Sequence, residues 1–158
     1  MSIDVTIDLG YEFDVKASAK EVFDVLADVP VSASHFPHVD KLVDLGGGAY
    51  RWEMMKIGLP QINLQTIYAS KYVSNRSKGT IVWTPVEGVG NALVSGKWKI
   101  SDKKKFTHIE LQIHGQLQVP LPSLMKVVIA PAVEVEFERL VEHYIDNLVK
   151  RFGGEVST

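Results

Sequence analysis

The sequence predicts an α+β fold in which one curved, seven-stranded antiparallel sheet wraps around a long C-terminal helix, with two short helices between the first and second strands. Three observations carry this. The chain opens on a strict two-residue alternation, its middle is a run of strand-like segments separated by turn residues, and its end switches to the helical period. A single sheet with one apolar face needs a cover, and the final helix carries the long apolar stripe that can supply it, so that helix must lie in the sheet's concavity.

In the opening segment Ile3, Val5, Ile7, Leu9, Tyr11, Phe13 and Val15 share one parity, and Asp4, Thr6, Asp8, Gly10, Glu12 and Asp14 the other. That is a long strand with one wet face. Ser18 and Glu21 then stand at capping-box spacing and open a helix through Val22, Phe23, Val25 and Leu26. Proline cannot donate a helical hydrogen bond, so Asp28-Val29-Pro30 should interrupt this helix, and Val31–Phe36 should form a second one ending near Pro37.

From Val39 to Val119 turn chemistry recurs at Gly46-Gly47-Gly48, Gly58-Leu59-Pro60, Asn75–Gly79, Glu87–Gly90 and Ser101–Lys105, dividing six strands that should pair as an antiparallel meander. The glycine triplet reads as a hairpin turn, and Asp102-Lys103-Lys104-Lys105 as a solvated hairpin tip. In the last of these strands Ile109, Leu111, Ile113, Gly115, Leu117 and Val119 share the dry parity. After Pro120-Leu121-Pro122, the residues Val133, Phe137, Leu140, Val141, Tyr144 and Leu148 recur at helical spacing, and Gly153-Gly154 supplies a left-handed stop. Pro131 should either kink this helix or divide it from a shorter one, Ser123–Ala130.

The length of 158 residues reads as one domain, 1–158, large enough to bury a core without a metal or disulfide staple. With no Cys, thiolate catalysis, disulfides and cysteine-based metal sites are excluded. A formal net charge of -2 gives no broad attraction to nucleic acid. No stretch approaches the roughly 18 uninterrupted apolar residues of a membrane span. Met1–Asp8 carries acids where a signal peptide carries Lys or Arg, so a cytoplasmic location is expected.

Because a wide curved sheet is covered by a helix only about 10–12 Å across, a cavity should remain between them. Parity turns Trp52 and Met54 toward it and Arg51, Glu53 and Met55 away. Trp83 and Trp98 should also face inward, and with Trp52 and Tyr144 they would make an aromatic-lined pocket. The plain alternative is that these aromatics only fill the core. The segment Ile62–Val73 reads as one strand whose inward set is Leu64, Thr66, Tyr68, Ser70 and Tyr72, because the other set holds Gln65 and Lys71. Tyr68 is then either a donor to a ligand carbonyl or a structural tyrosine bonded to backbone. Ile113 from the last strand, and Phe137 and Val141 from the helix, complete the candidate wall. His108, His114 and His143 fall on polar faces, and surface positions are expected. His35 and His38 lack a third ligand nearby except Asp40, so no metal is expected. Phosphate loops, dinucleotide fingerprints and a G-x-S-x-G elbow are absent, so no cofactor is expected and no serine stands out as a nucleophile.

The order of elements, the Ser18-Ala19-Lys20-Glu21-Val22-Phe23 helix start, the His35-Phe36-Pro37-His38-Val39 segment, the Gly96-Lys97-Trp98 strand and the closing helix together resemble the START-like (SRPBCC) helix-grip superfamily over essentially the whole chain. The similarity is to its polyketide cyclase/dehydrase-like branch, whose helix often begins "S-A-x-E-V-F". The glycine triplet falls where birch-pollen-allergen relatives carry a glycine-rich loop, without their fuller pattern. The resemblance implies a pocket between sheet and helix for a small hydrophobic or aromatic ligand such as a lipid, polyketide or quinone. The expected function is ligand binding, as a carrier or as a cyclase that positions a poly-carbonyl chain with Tyr68 or a water assisting proton transfer. No inward Asp, Glu or His can be read, which favours carriage. The alternative is a non-catalytic module contacting a protein or membrane through an apolar cavity rim made of Leu59-Pro60 and Val119–Met125.

Overall fold

The structure, a computed structural model, describes residues 3–59 and 62–156, with side chains except at 57–59 and 62. Its elements in order are β1 (Ile3–Val15), α1 (Ala19–Ala27), α2 (Val29–Ala33), β2 (Val39–Gly46), β3 (Ala49–Met54), β4 (Ile57–Leu59), β5 (Ile62–Leu64), β6 (Ile67–Asn75), β7 (Thr80–Val86), β8 (Ala92–Asp102), β9 (Thr107–Val119), one 3₁₀ turn (Ser123–Met125) and α3 (Lys126–Arg151). Seven strands form one curved antiparallel sheet in the order β1-β9-β8-β7-β6-β3-β2. The strand expected to open the chain therefore lies beside the one that closes the sheet, in register from Ile3↔Val119 to Val15↔Thr107.

Sequence patterning explains most of these boundaries. The Ser18 hydroxyl accepts from the Glu21 N–H at 3.2 Å and caps α1. The second helix begins two residues earlier than the expected Val31–Phe36, because Pro30 sits in its first turn, where its missing N–H costs nothing. Asp28 caps it, accepting from the Val31 N–H at 3.3 Å. Gly46, Gly47 and Gly48 join β2 to β3 with φ of +86°, +62° and +85°, and a Cβ at Gly48 would stand 2.9 Å from the Tyr72 carbonyl oxygen. The triplet is thus a hairpin turn, and glycine is required there. The charged tip Asp102–Lys105 is exposed.

One expectation needs correction, and one left open is decided. Ile62–Val73 is not one strand: Ile62–Leu64 pairs with Ile57–Leu59 as a separate ribbon, and β6 begins only at Ile67. Nothing at Gln65-Thr66 reads as a turn, so the break is invisible in the alternation. It is held instead by Asn91, which accepts from the Ile67 N–H and donates to the Gln65 carbonyl, both at 2.9 Å. The expected turn at Gly58-Leu59-Pro60 lies partly outside the described residues. Nor does Pro131 divide the last helix, since α3 runs through it and only the 3₁₀ turn Ser123–Met125 precedes it. The carbonyl that Pro131 leaves without a donor belongs to Val127, which is 84% exposed, so water can take that place.

The sheet grips α3 at its two ends. Toward the N-terminus Ile129 and Val133 pack with Ile3, Val5, Leu117 and Val119. Toward the C-terminus Ile145, Leu148 and the capping residue Phe152 pack with Phe13, Val15, Phe23 and Leu26. Phe152 is 1% exposed and its carbonyl accepts from the Ala17 N–H at 3.0 Å, while Gly153 and Gly154 turn the chain at φ +84° and +104°. Between the two grips Phe137, expected to be core, is only half-buried.

Candidate functional site

Strand alternation builds one wall of the space left in the middle of the grip, and the helix stripe builds the other. The nine residues expected to line it, Trp52, Met54, Tyr68, Trp83, Trp98, Ile113, Phe137, Val141 and Tyr144, all stand on the wall of one cavity. Leu9, Val94, Ile113 and Phe137 keep part of their surface accessible although they lie between helix and sheet, because the two layers do not meet there. The cavity volume is about 90 Å³, several times the roughly 10–15 Å³ that one water needs.

A continuous aromatic array surrounds that space. Trp52 stacks on Tyr68 with ring centroids 5.8 Å apart and 10° between planes, the separation expected of a direct cross-strand pair. Phe36, which follows α2, meets Trp52 edge-on at 5.9 Å and Tyr144 at 4.9 Å. Trp98 meets Tyr144 at 6.0 Å, and Tyr72 meets Trp83 at 5.6 Å. Trp83 owes its position to Gly96 directly opposite, where a Cβ would come within 2.2 Å of the indole Cζ2. The indole therefore lies flat on the β8 backbone.

The polar groups in this wall fall into two classes. Trp52 Nε1 donates to the Tyr72 hydroxyl at 2.9 Å, and the Tyr144 hydroxyl shares a short hydrogen bond with Ser32 Oγ. The second bond ties α2 to α3 across the cavity, assisted by Asn147 Nδ2 donating to the His35 carbonyl at 2.9 Å. Thr66 Oγ1, by contrast, is buried with no hydrogen-bond partner among the described residues. Burial pushes the Tyr68, Tyr72 and Tyr144 hydroxyls well above the usual phenol range, so all three keep their protons. Among the described lining residues there is no Asp, Glu, Lys, Arg or His.

Sequence reasoning singled out neither Ser32 nor Phe36 as wall residues, nor Thr66 as an orphaned hydroxyl. Thr66 stood on the inward parity, but its lack of a partner is a property of three-dimensional surroundings. Of the segment Val119–Met125 no residue lines the cavity, and Leu124 stands 92% exposed instead. The other proposed rim residues, Leu59 and Pro60, lie outside the described side chains. His114 and His143 are exposed as expected. His108 is less so, because Asp14 across the strand pair accepts from its Nδ1 at 2.6 Å while Glu12 approaches Nε2 at 3.3 Å. His35 Nδ1 stands 2.9 Å from the Val31 carbonyl, where it can only donate, so that nitrogen faces no metal.

No family model matches the chain, and no curated protein matches it in sequence. Solved structures do resemble it. A START superfamily protein from Mycobacterium smegmatis superposes with a TM-score of 0.64 at 15% identity, over 92% of this chain and 97% of that one. The Zhui aromatase/cyclase from Streptomyces sp. R1128 gives 0.59 at 16% identity, over 92% and 90%. Norcoclaurine synthase from Thalictrum flavum, solved in complex with dopamine and hydroxybenzaldehyde, gives 0.58 at 17% identity, over 94% and 88%. At these identities the likeness is one of fold, and the chain has the START-like, polyketide-cyclase-like helix-grip fold.

Proposed function

We propose that this chain binds a small hydrophobic or aromatic molecule in the cavity between its sheet and its C-terminal helix, as a carrier. The observation that carries this reading is the wall itself, in which three tryptophans and three tyrosines surround space that neither layer fills. Aromatic side chains fill wide sheets in any protein, but a wall that only completed a core would close on itself to native density. The nine residues named from the sequence would contact the ligand, with the indoles supplying stacking area and the hydroxyls supplying orientation.

Carriage is favoured over cyclisation by the donor set. Acid–base steps at neutral pH need a group that titrates near it, and the lining offers tyrosines that hold their protons. A cyclase working here would act by folding its substrate, with Tyr68 as a hydrogen-bond donor and water as the base. The similarity in fold to an aromatase/cyclase keeps that version open to test. Among the described residues no helix is long and apolar enough to cross a membrane.

Native mass spectrometry of freshly purified protein is the deciding experiment. A co-purified mass that leaves on denaturation, together with saturable quenching of tryptophan fluorescence by a hydrophobic probe and weaker quenching in Trp98→Ala, is the expected result. Protein that is empty by mass and whose indoles do not respond to any apolar probe would overturn the reading.

A further inference from the structure

The cavity is smaller than the molecules its wall suits. Its volume is about 90 Å³, whereas a cavity that takes one benzene has roughly 150 Å³. A ring compound therefore enters only if part of the wall gives way, and the contacts limit which part. Trp52 is held by its bond to the Tyr72 hydroxyl, Tyr144 by its bond to Ser32, and Trp83 lies flat on Gly96. Phe36 has no such tie, since its ring carries no polar atom, and it is half-buried.

Phe36 also has a place to go. On the outer side of α2 a groove of about 370 Å³ runs between that helix and the β2–β3 hairpin, lined by Pro30, Ala33, Val39, Leu42 and Tyr50. Phe36 is the one described residue on the walls of both spaces, so its ring is the partition between them. On the inner side it rests against Trp52 and Tyr144. Turned outward it would meet Val39, Leu42 and Tyr50, and so exchange one apolar surrounding for another. The backbone on either side is fixed. The Phe36 N–H donates to the Ala33 carbonyl at 2.9 Å, Asn147 holds the His35 carbonyl, and the Met55 N–H donates to the His38 carbonyl at 2.7 Å. The movement available is therefore a turn of the side chain between staggered positions and not the opening of a loop.

We propose that Phe36 is the door and place-holder of this site: its ring fills part of the binding space while the cavity is empty and turns out into the α2–β2 groove when a ring-sized molecule enters. The proposal rests on the ligand-binding reading above and adds how the site admits its ligand. The apparent affinity of such a site is its intrinsic affinity reduced by the fraction of molecules in which the door stands open. Shortening Phe36 should therefore raise affinity. Shortening a residue that only touches the ligand does the opposite, because contacts are lost.

The test is calorimetric titration of naphthalene into the full chain, parent and variants. Phe36→Ala should bind on the order of tenfold tighter, since two aromatic contacts no longer have to be broken for the ligand to enter. Phe36→Leu should fall between alanine and the parent, and it carries the test if the alanine variant does not fold. Leu42→Trp, which fills the groove, should weaken binding by a similar factor, and adding Phe36→Ala to it should restore tight binding. In a crystal structure of the naphthalene complex the Phe36 ring should lie against Val39 and Leu42. Unchanged or weaker binding in both Phe36→Ala and Phe36→Leu, or a complex in which the ring still rests against Tyr144, would overturn the proposal while leaving the cavity a ligand site. Tighter binding in Phe137→Ala but not in Phe36→Ala would overturn it as well, because the half-buried ring on α3 would then be the door. Failure of naphthalene to bind any of these proteins would instead bring down the ligand-binding reading, and the inference with it.

Discussion

Gly96→Ala tests whether the cavity depends on a missing side chain. Gly96 faces Trp83 across the β7–β8 pair, and a Cβ there would lie 2.2 Å from the indole Cζ2 and 2.6 Å from the Gln112 carbonyl oxygen. Ordinary van der Waals contact begins at 3.4 Å, so the indole would have to retreat by 3.4 − 2.2 = 1.2 Å and the carbonyl by 3.4 − 2.6 = 0.8 Å. The carbonyl belongs to the β8–β9 ladder and cannot yield without disturbing it. The indole can move only toward the cavity, away from the strand it lies on. Overpacking of this kind costs about 1–3 kcal/mol, which for a chain of this size lowers Tm by about 2–12 °C. Urea denaturation followed by circular dichroism should show a lower midpoint at unchanged slope. Tryptophan emission should shift, and a hydrophobic probe such as naphthalene should bind more weakly because the indole occupies its space. An alanine variant with the parent's midpoint, emission and affinity would show that Trp83 does not rest on the β8 backbone, and the cavity's outline would have to be redrawn.

Three further outcomes follow from individual contacts. Ser32→Ala and Tyr144→Phe should each destabilise by about 1–3 kcal/mol by orphaning the other buried hydroxyl, and the double variant should cost less than their sum in a denaturation cycle; strict additivity would mean the bond is not formed. Phe152→Ala removes a fully buried ring and should cost about 3–5 kcal/mol, whereas half-buried Phe137→Ala should cost less and alter probe affinity more, an order that reversed denaturation midpoints would contradict. Hydrogen bonding to Asp14 first, and then to Glu12, holds the His108 pKa above 6.5 against some desolvation. Its stabilising contribution is therefore complete below the unfolded value and is lost as pH rises through the folded one. Tm should fall across that window above 6.5, and His108→Gln should flatten the fall; an equal slope in both proteins would assign it to another group.

The outer parts of this fold were legible because each rests on a pattern with one buried face. Strict alternation marked β1 and β9, and the same parity argument turned Trp52, Trp83 and Trp98 inward, since a one-residue slip would have put indoles in water. The capping serine marked α1, and the glycine triplet marked the β2–β3 hairpin. What escaped was structure made by contacts distant in sequence. The inward parity of Leu64, Thr66 and Tyr68 continues across a real break between β5 and β6, and the clamp that makes the break comes from Asn91 in another loop. Ser32 and Tyr144 are 112 positions apart, and neither residue type announces the other. Phe152 continues the apolar stripe four residues beyond Leu148, but as the residue that caps α3 beside the glycine stop it falls where the stripe was expected to end. Phe137 sits on the stripe and yet stays half-buried, because its burial depends on how far helix and sheet separate.

The same geometry dictates how the cavity should respond to pH. Its polar side chains are hydroxyl groups, indole N–H groups and the Gln116 amide, all uncharged, and a hydroxyl near an apolar ligand is useful only while it keeps its proton. Burial raises Tyr68, Tyr72 and Tyr144 above the ordinary value of 10.0, each by desolvation first, and the described wall holds no group that titrates lower. Stability and binding should therefore part company. Stability carries the His108 dependence on the outer face of the sheet, at the β1–β9 pair, whereas affinity for an uncharged probe such as naphthalene should stay level throughout the pH range in which the protein remains folded and tyrosine is neutral. Calorimetric titrations on either side of 6.5 would decide this. A change in affinity there, with the fold intact by circular dichroism, would require a titrating group within reach of the ligand, and the account of the cavity as an uncharged chamber would fail.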